Sequence, residues 1–365
     1  MSDYPKEKLF LVSPNANQYC NSKIKNRINL QSYPVKELIN TRFHKIYYSL
    51  FYGFQAIKTK VSEKVPIYLK QPIQEFKPEA VLTVAVLGEW LQAAEISKYL
   101  KIPLHLIIHD DFHFEYFWIS FVKRWGQKKF GEVYKSAQTC FCVSEEMEKK
   151  YYKQYQRRGI VLLPYRGKKT KMFSRKTLKK NKSSLIIVYA GSLYGEAFEK
   201  IQKIGALLKK QNHQLVVFSG QKPLNTKFED TVWWRKPVSS NKLITWLNKK
   251  ADICLLYQNF SKDFRKQGQT LFPTKLVDYN ASATPVVIVA PKKTAIAKYC
   301  LKRPGSSFLI SNSSPHKVFR AIIKLGSNLI KQKKMISRSV FFGREDFCFK
   351  KAKKVFYQAL LQNKQ

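Results

Sequence analysis

Acidic residues are scarce in this chain. Its 365 residues hold 24 Asp and Glu against 67 Lys and Arg, a formal net charge of +43. A surface of that kind seeks polyanions: nucleic acid, anionic lipid or phosphorylated substrates. Arginine is scarce as well, at 13 of the 67 basic residues. Sequence-reading nucleic-acid proteins favour Arg for its bidentate contacts, so nucleic acid is the disfavoured partner, and a lysine-rich background accounts for much of the excess. Cysteine is limited to six residues with no CxxC. Cys140 and Cys254 lie inside apolar runs, where a thiol behaves as a small hydrophobe, and no disulfide framework is expected at this length. The start, MSDYPKEKLFLVSP, has no apolar signal region. No run reaches the roughly 18 apolar residues of a membrane span. The expectation is a cytoplasmic protein, peripheral at a membrane if the charge is used.

Long internal repeats, GxGxxG and the P-loop are also missing. What is present is 44% hydrophobic and 14% aromatic residues, enough to bury two cores. Solid aliphatic runs alternate with amphipathic stretches. The expected strands are 8–14, 79–87, 102–111, 139–144 and 159–165, with helices at 88–100 and 112–135. A further helix opens at Ser144-Glu145-Glu146, where Ser caps and Glu suits the positive end. Residues 166–184 are polar, basic and aperiodic, a linker pattern. Strands then resume at 185–192, 214–220, 251–258 and 284–291, with a helix near 195–210. The segment from about 333 is a basic helical tail carrying Phe341, Phe342, Phe347, Phe349 and Phe356. Solid strands between helices argue for parallel sheets covered on both faces. The expected class is therefore α/β, two doubly wound domains at 1–165 and 185–332, with a C-terminal helical segment, 333–365, returning toward the first.

In such sheets ligands bind beyond the carboxyl ends of the strands. Ala190-Gly191-Ser192 and Phe218-Ser219-Gly220 follow two of them, and Gly there allows close backbone approach to a ligand. The segment FPTKLVDYNASATPVVIVAP (272–291) says more. Pro273 suits a first helical position. The N–H groups of Thr274, Lys275 and Leu276 then face outward at a positive helix end, and with the Lys275 charge they form a diphosphate cradle. Asp278, on the same face, suits hydroxyl donors such as those of a ribose. The alternative is a local Lys275–Asp278 pair worth about 0.3–0.5 kcal/mol.

This segment resembles the GT-B glycosyltransferases, most closely family 4. Asp278 falls on the second of that family's two acidic positions, Ala283 on its usual Gly and Pro285-Val286-Val287 on the strand that follows. The first acidic position holds Thr270, a departure that touches the donor-sugar contact, although relatives with an FPxK loop often lack that acid. The order of KPEAVLT, HDD, CVSEEM and YAGSL agrees, and the resemblance spans nearly the whole chain. It implies two Rossmann-like domains facing a central cleft, a nucleotide-sugar donor (UDP-, GDP- or ADP-linked), no cofactor, and no metal despite the DxD-like Asp110 and Asp111. It also implies retention of configuration, a glycan or lipid-linked acceptor, and His109 facing the donor sugar as the catalytic residue. Lys200, Asp110, Asp111 and His113 are candidate diphosphate or acceptor contacts, with Glu115 close by. The family often has Arg or Lys after Gly191, where this chain has Glu196. The loop Pro14-Asn15-Ala16-Asn17 lacks the Gly of many relatives. Residues 42–60, aromatic and basic, fit an interfacial helix on anionic lipid or an ordinary core helix. The rival functions are a nucleotide-sugar epimerase on the same fold, or a basic nucleic-acid or membrane-binding protein.

Overall fold

Strands with both faces covered need apolar side chains on each, and the aliphatic runs supply them. A computed structural model describes residues 5–13, 27–29, 65–85, 89–110, 120–178, 183–193, 195–220 and 231–361. The loop at Pro14–Asn17, the segment 42–60, Asp111, His113 and Glu115 lie outside the described residues. Two units are distinguished, Met1–Phe141 with Tyr151–Ile160, and Cys142–Lys150 with Val161–Gln365.

In the first unit β1 (Leu11–Ser13) and β2 (Arg27–Asn29) form a parallel pair. The strands β3 (Val81–Val84), β4 (Leu104–Ile108), β5 (Thr139–Cys142) and β6 (Ile160–Val161) follow one another across a four-stranded sheet. The helices are α1 (Ile67–Phe76), α2 (Glu89–Leu100), α3 (Ser120–Ser136) and the last turn of α4 (Glu145–Tyr155), whose start up to Lys150 belongs to the second unit. Trp90 of α2 meets Phe130 of α3 edge-on at 5.3 Å, and Tyr134 meets Tyr151 likewise at 5.3 Å. Such pairs add to the area they bury.

His105 lies fully buried on β4, and neither ring nitrogen has a hydrogen-bond partner among the described residues. Burial lowers its pKa, so the folded chain excludes a proton that the unfolded chain takes up near its ordinary value of about 6.5. Burial lowers His213 too. Stability is therefore complete above the unfolded value and falls as pH drops below it toward the folded value. Melting temperatures measured between pH 7.5 and 5.5 should fall for the wild type, and less for His105→Leu. Parallel curves would refute a neutral buried His105.

The second unit is built on a six-stranded sheet of β7 (Ile186–Ala190), β8 (Gln214–Phe218), β9 (Trp233–Arg235), β10 (Ile253–Tyr257), β11 (Val286–Val289) and β12 (Phe308–Ile310). The order is β12-β11-β10-β7-β8-β9, parallel throughout. The chain thus runs outward from β7 to β9, returns to β10 on the other side and runs outward again. The reversal between β7 and β10 is the switch point where doubly wound sheets bind ligands. Helices α5 (Glu196–Lys210), α6 (Ser240–Lys250), α7 (Lys262–Gln267), α8 (Lys275–Ala281), α9 (Ala295–Lys302), α10 (Pro315–Gly326), α11 (Leu329–Asp346) and α12 (Phe349–Leu361) complete it. Cys140 and Cys254 are free and buried, and burial pushes both thiols up to about 12.

Two segments differ from their sequence pattern. The described part of 166–184 has no regular structure but is tied down. The N–H of Phe173 donates to the carbonyl of Ala281 at 2.8 Å, Asn241 bonds Lys169 and Lys171, and Met172, Phe173 and Leu178 pack on Ala283, Ile336 and Val340. Its apolar residues follow no helical or strand period, so pattern alone hides the docking. The basic tail is two helices, starting at Leu329 and broken at Phe347-Cys348. Phe347, fully buried, stacks on Tyr299 at 5.9 Å and meets Phe272 at 6.1 Å. That burial, and no local helix breaker, makes the break.

Candidate functional site

At the end of β7 the backbone turns through Gly191, whose φ of +147° suits a residue without Cβ. The Gly191 N–H donates to the carbonyl of Phe218 at 3.0 Å, joining the ends of β7 and β8. Ser192 and Gly220, past those two strands, are exposed. On the other side of β7 the link is a side chain. Tyr279 of α8 is fully buried, and its hydroxyl accepts the Ala190 N–H at 2.8 Å and donates to the Leu255 carbonyl at 3.2 Å. One phenol thus bridges β7 and β10 where their connections part. Burial raises its pKa far above the ordinary phenol value, so it remains a donor.

The same seven-residue helix carries the charge pair. Lys275 Nζ lies 3.3 Å from Asp278 Oδ2, and Ser240 Oγ donates to that oxygen at 3.4 Å. Asp278 is 7% exposed. The first turn is tight, as helix ends often are. The Leu276 N–H donates to the Pro273 carbonyl at 3.2 Å and the Val277 N–H to that of Thr274 at 3.1 Å. Leu276 is therefore corrected as a donor to ligand: its N–H is engaged and its side chain buried. The N–H groups of Thr274 and Lys275 have no backbone partner among the described residues. Ala283 ends this unit with φ +52°, the left-handed region that favours Gly.

Thr270 is buried, and its hydroxyl donates to the Gln267 carbonyl at 3.3 Å. Its own carbonyl accepts from Ser144 Oγ at 2.5 Å, while the same Ser144 oxygen accepts the Met147 N–H at 3.1 Å. Ser144 is thus the cap expected of it and also a clamp on the loop before α8. Ion pairs Glu146–Lys298 and Glu145–Lys302 flank it. Phe272 meets Tyr299 edge-on at 5.0 Å, and Tyr299 donates to Asp346, which also pairs with Arg303. Neither the clamp nor the Tyr279 bridge carries a local sequence signal, since each depends on partners far along the chain.

Gly191, Ser192 and Gly220 thus sit at the ends of β7 and β8, and Lys275 and Asp278 on the helix tied to β7. Lys200 is a turn inside α5 and faces Glu196 at 3.7 Å. His109 and Asp110 are exposed beyond the end of β4. Among the described residues no three His, Cys, Asp or Glu gather as a metal would require, and no helix is long and apolar enough to cross a membrane.

No protein-family model and no curated protein matches the chain. Solved structures do. A glycosyltransferase of Rickettsia africae aligns over 97% of this chain and 90% of its own at TM-score 0.63 and 10% identity. HepE of Anabaena, in complex with UDP and glucose, aligns over 84% of this chain and 88% of its own at TM-score 0.59 and 12% identity. WaaG, a glycosyltransferase involved in lipopolysaccharide biosynthesis, aligns over 76% and 84% at TM-score 0.53 and 13% identity.

The fold is GT-B. Its second Rossmann-like unit has strand order 3-2-1-4-5-6, counted from β7. In this GT-B chain the candidate site lies at the reversal of that order, built from Gly191, Ser192, Gly220, Thr274, Lys275 and Asp278.

Proposed function

We propose that the chain is a glycosyltransferase that moves a sugar from a nucleotide-diphosphate sugar to a glycan, lipid-linked or other cell-envelope acceptor, with retention and without metal. The observation that carries this reading is the Lys275–Asp278 pair on a helix joined by Tyr279 to the switch point of a GT-B sheet. The HepE complex with UDP and glucose supports a nucleotide-sugar donor, and WaaG supports an envelope acceptor.

Each residue then has a task. Asp278 accepts hydrogen bonds from the ribose hydroxyls. The N–H groups of Thr274 and Lys275 and the Lys275 ammonium meet the diphosphate, and stabilise its growing charge as the glycosidic bond breaks. Gly191 and Gly220 let the backbone approach the nucleotide. His109, Asp110, Asp111 and His113 belong to the acceptor side, with His109 toward the donor sugar. Lys200 remains a reserve cation for the diphosphate. A lipid-linked acceptor would bring the chain to an anionic membrane from the cytoplasm. The exposed Lys350, Lys351 and Lys354 beside Val355 and Leu361 on α12 suit such a surface.

A thermal-shift panel of UDP, GDP, ADP and CDP tests this. The matching diphosphate at a hundred times its Kd should add about 2.7 kcal/mol and raise the melting temperature. No shift with any of the four would overturn the reading. Release of the diphosphate from its sugar conjugate only when acceptor is added would distinguish transfer from epimerisation.

A further inference from the structure

The contacts proposed along α8 have a direction. The diphosphate meets the N–H groups of Thr274 and Lys275, and the ribose meets Asp278, three residues or about 4.5 Å along the helix axis. A nucleotide carries its base on the far side of the ribose from its phosphates. Besides Lys275, the group that touches Asp278 is Ser240, whose Oγ donates to Oδ2 at 3.4 Å. Ser240 opens α6, and the connection Lys236-Pro237-Val238-Ser239 leads into it from Arg235, the last residue of β9.

The other end of this connection returns to the site as well. The Ser219 N–H donates to the Arg235 carbonyl at 3.1 Å, and a Cβ added to Gly220 would lie 3.6 Å from Pro237 Cγ. Residues 235–240 therefore run from the end of β8 to Asp278, and all six are exposed. Arg235 pairs in register with Phe218, so their side chains share one face of the sheet. Trp246 of α6 covers that face. Its ring meets Phe218 edge-on at 5.3 Å, and the Arg235 guanidinium carbon lies 5.7 Å from its centre. A ring face attracts the cation without consuming its N–H donors. Arg235 is thus an exposed fork of donors held at the rim of the site. Asn241, next along, is spent: its carboxamide bonds the backbone of Lys169 and Lys171.

The chemistry of the stretch is one-sided. Arg235 to Ser240 holds two cations, two hydroxyls and no acid. Adenine offers such donors no carbonyl oxygen, and guanine adds N–H groups that call for an acidic acceptor. Uracil presents two carbonyl oxygens about a single N–H. We propose that Arg235 reads the nucleobase of the donor, and that the base is uracil. This rests on the nucleotide-sugar reading above. The guanidinium donates to a uracil carbonyl oxygen, and Trp246 positions it to do so.

Calorimetric titration of the full chain with UDP, CDP, GDP and ADP tests the proposal. The wild type should bind UDP most tightly. Arg235→Met, which keeps the length of the side chain, should weaken UDP about tenfold, as for loss of a charged hydrogen bond, and ADP by less than about twofold. Arg235→Lys keeps the charge but loses the planar fork, and should not restore the preference for UDP. A tightest ligand other than UDP, equal losses for UDP and ADP in Arg235→Met, or full recovery in Arg235→Lys would each overturn base reading by Arg235; the last two would leave it a general cation for the phosphates. A wild-type chain that binds none of the four would instead overturn the nucleotide reading, and the base contact with it.

Discussion

Asp278→Asn weakens binding of the nucleoside diphosphate by about 1.5–3 kcal/mol, roughly ten- to a hundredfold, because a charged acceptor loses its hydrogen-bonded hydroxyls. The carboxylate is almost wholly buried and has two polar contacts among the described residues, Lys275 and the long bond from Ser240, both on Oδ2. Asn keeps the shape and can still accept from Ser240, so the free chain loses little stability. Lys275 is released from its partner in the variant. Were its pairing the only role of Asp278, freeing the cation would leave diphosphate affinity unchanged or improved. The two roles are therefore separated by sign. Lys275→Ala should also reduce affinity, since the pair is proposed to place the ammonium at the diphosphate. Titration with the diphosphate that shifts the melting temperature reads both. Unchanged or tighter binding by Asp278→Asn would remove Asp278 from the ribose contact.

The GT-B architecture was legible in the sequence because solid aliphatic strands and helices alternate strongly in both halves. The short strands were not. Trp233–Arg235 and Phe308–Ile310 are three residues each, too short for a period to emerge, and they join the sheet through pairing with β8 and β11. At the site, Pro273, Lys275 and Asp278 announced the α8 unit, since a Pro, a cation and an acid at helical spacing are a local pattern. The departure at Thr270 was legible too, and its side chain is buried, where a carboxylate would lose its hydration. The fate of Leu276 was not legible. A Pro at a helix start implies free N–H groups behind it, but a tight turn closes two of them on Pro273 and Thr274. Tyr279 and the clamp that Ser144 adds to its cap escaped notice for one reason. A tyrosine or serine in a periodic run looks like core or cap, and only the fold brings Ala190 or Thr270 to it.

Tyr279→Phe carries the second large effect, on stability rather than affinity. The substitution keeps the ring and removes the hydroxyl that accepts from Ala190 and donates to Leu255. It leaves a buried N–H and a buried carbonyl short of a partner at the end of two central strands. The cost of such an orphaned group is about 1–3 kcal/mol, which lowers the melting temperature of a unit of this size by roughly 5 °C. Nucleotide affinity should fall with it, because Gly191 follows Ala190 directly and α8 carries Lys275 and Asp278. Tyr257→Phe removes the same atom from the same kind of buried ring, but from a hydroxyl with no partner among the described residues. Both rings are buried, so a difference in melting temperature reports mainly hydrogen bonding. Calorimetric scans of the two variants side by side should place Tyr279→Phe well below the wild type and Tyr257→Phe at or above it. Equal losses in the two would refute both assignments, the bridge across β7 and β10 and the unpartnered hydroxyl of Tyr257.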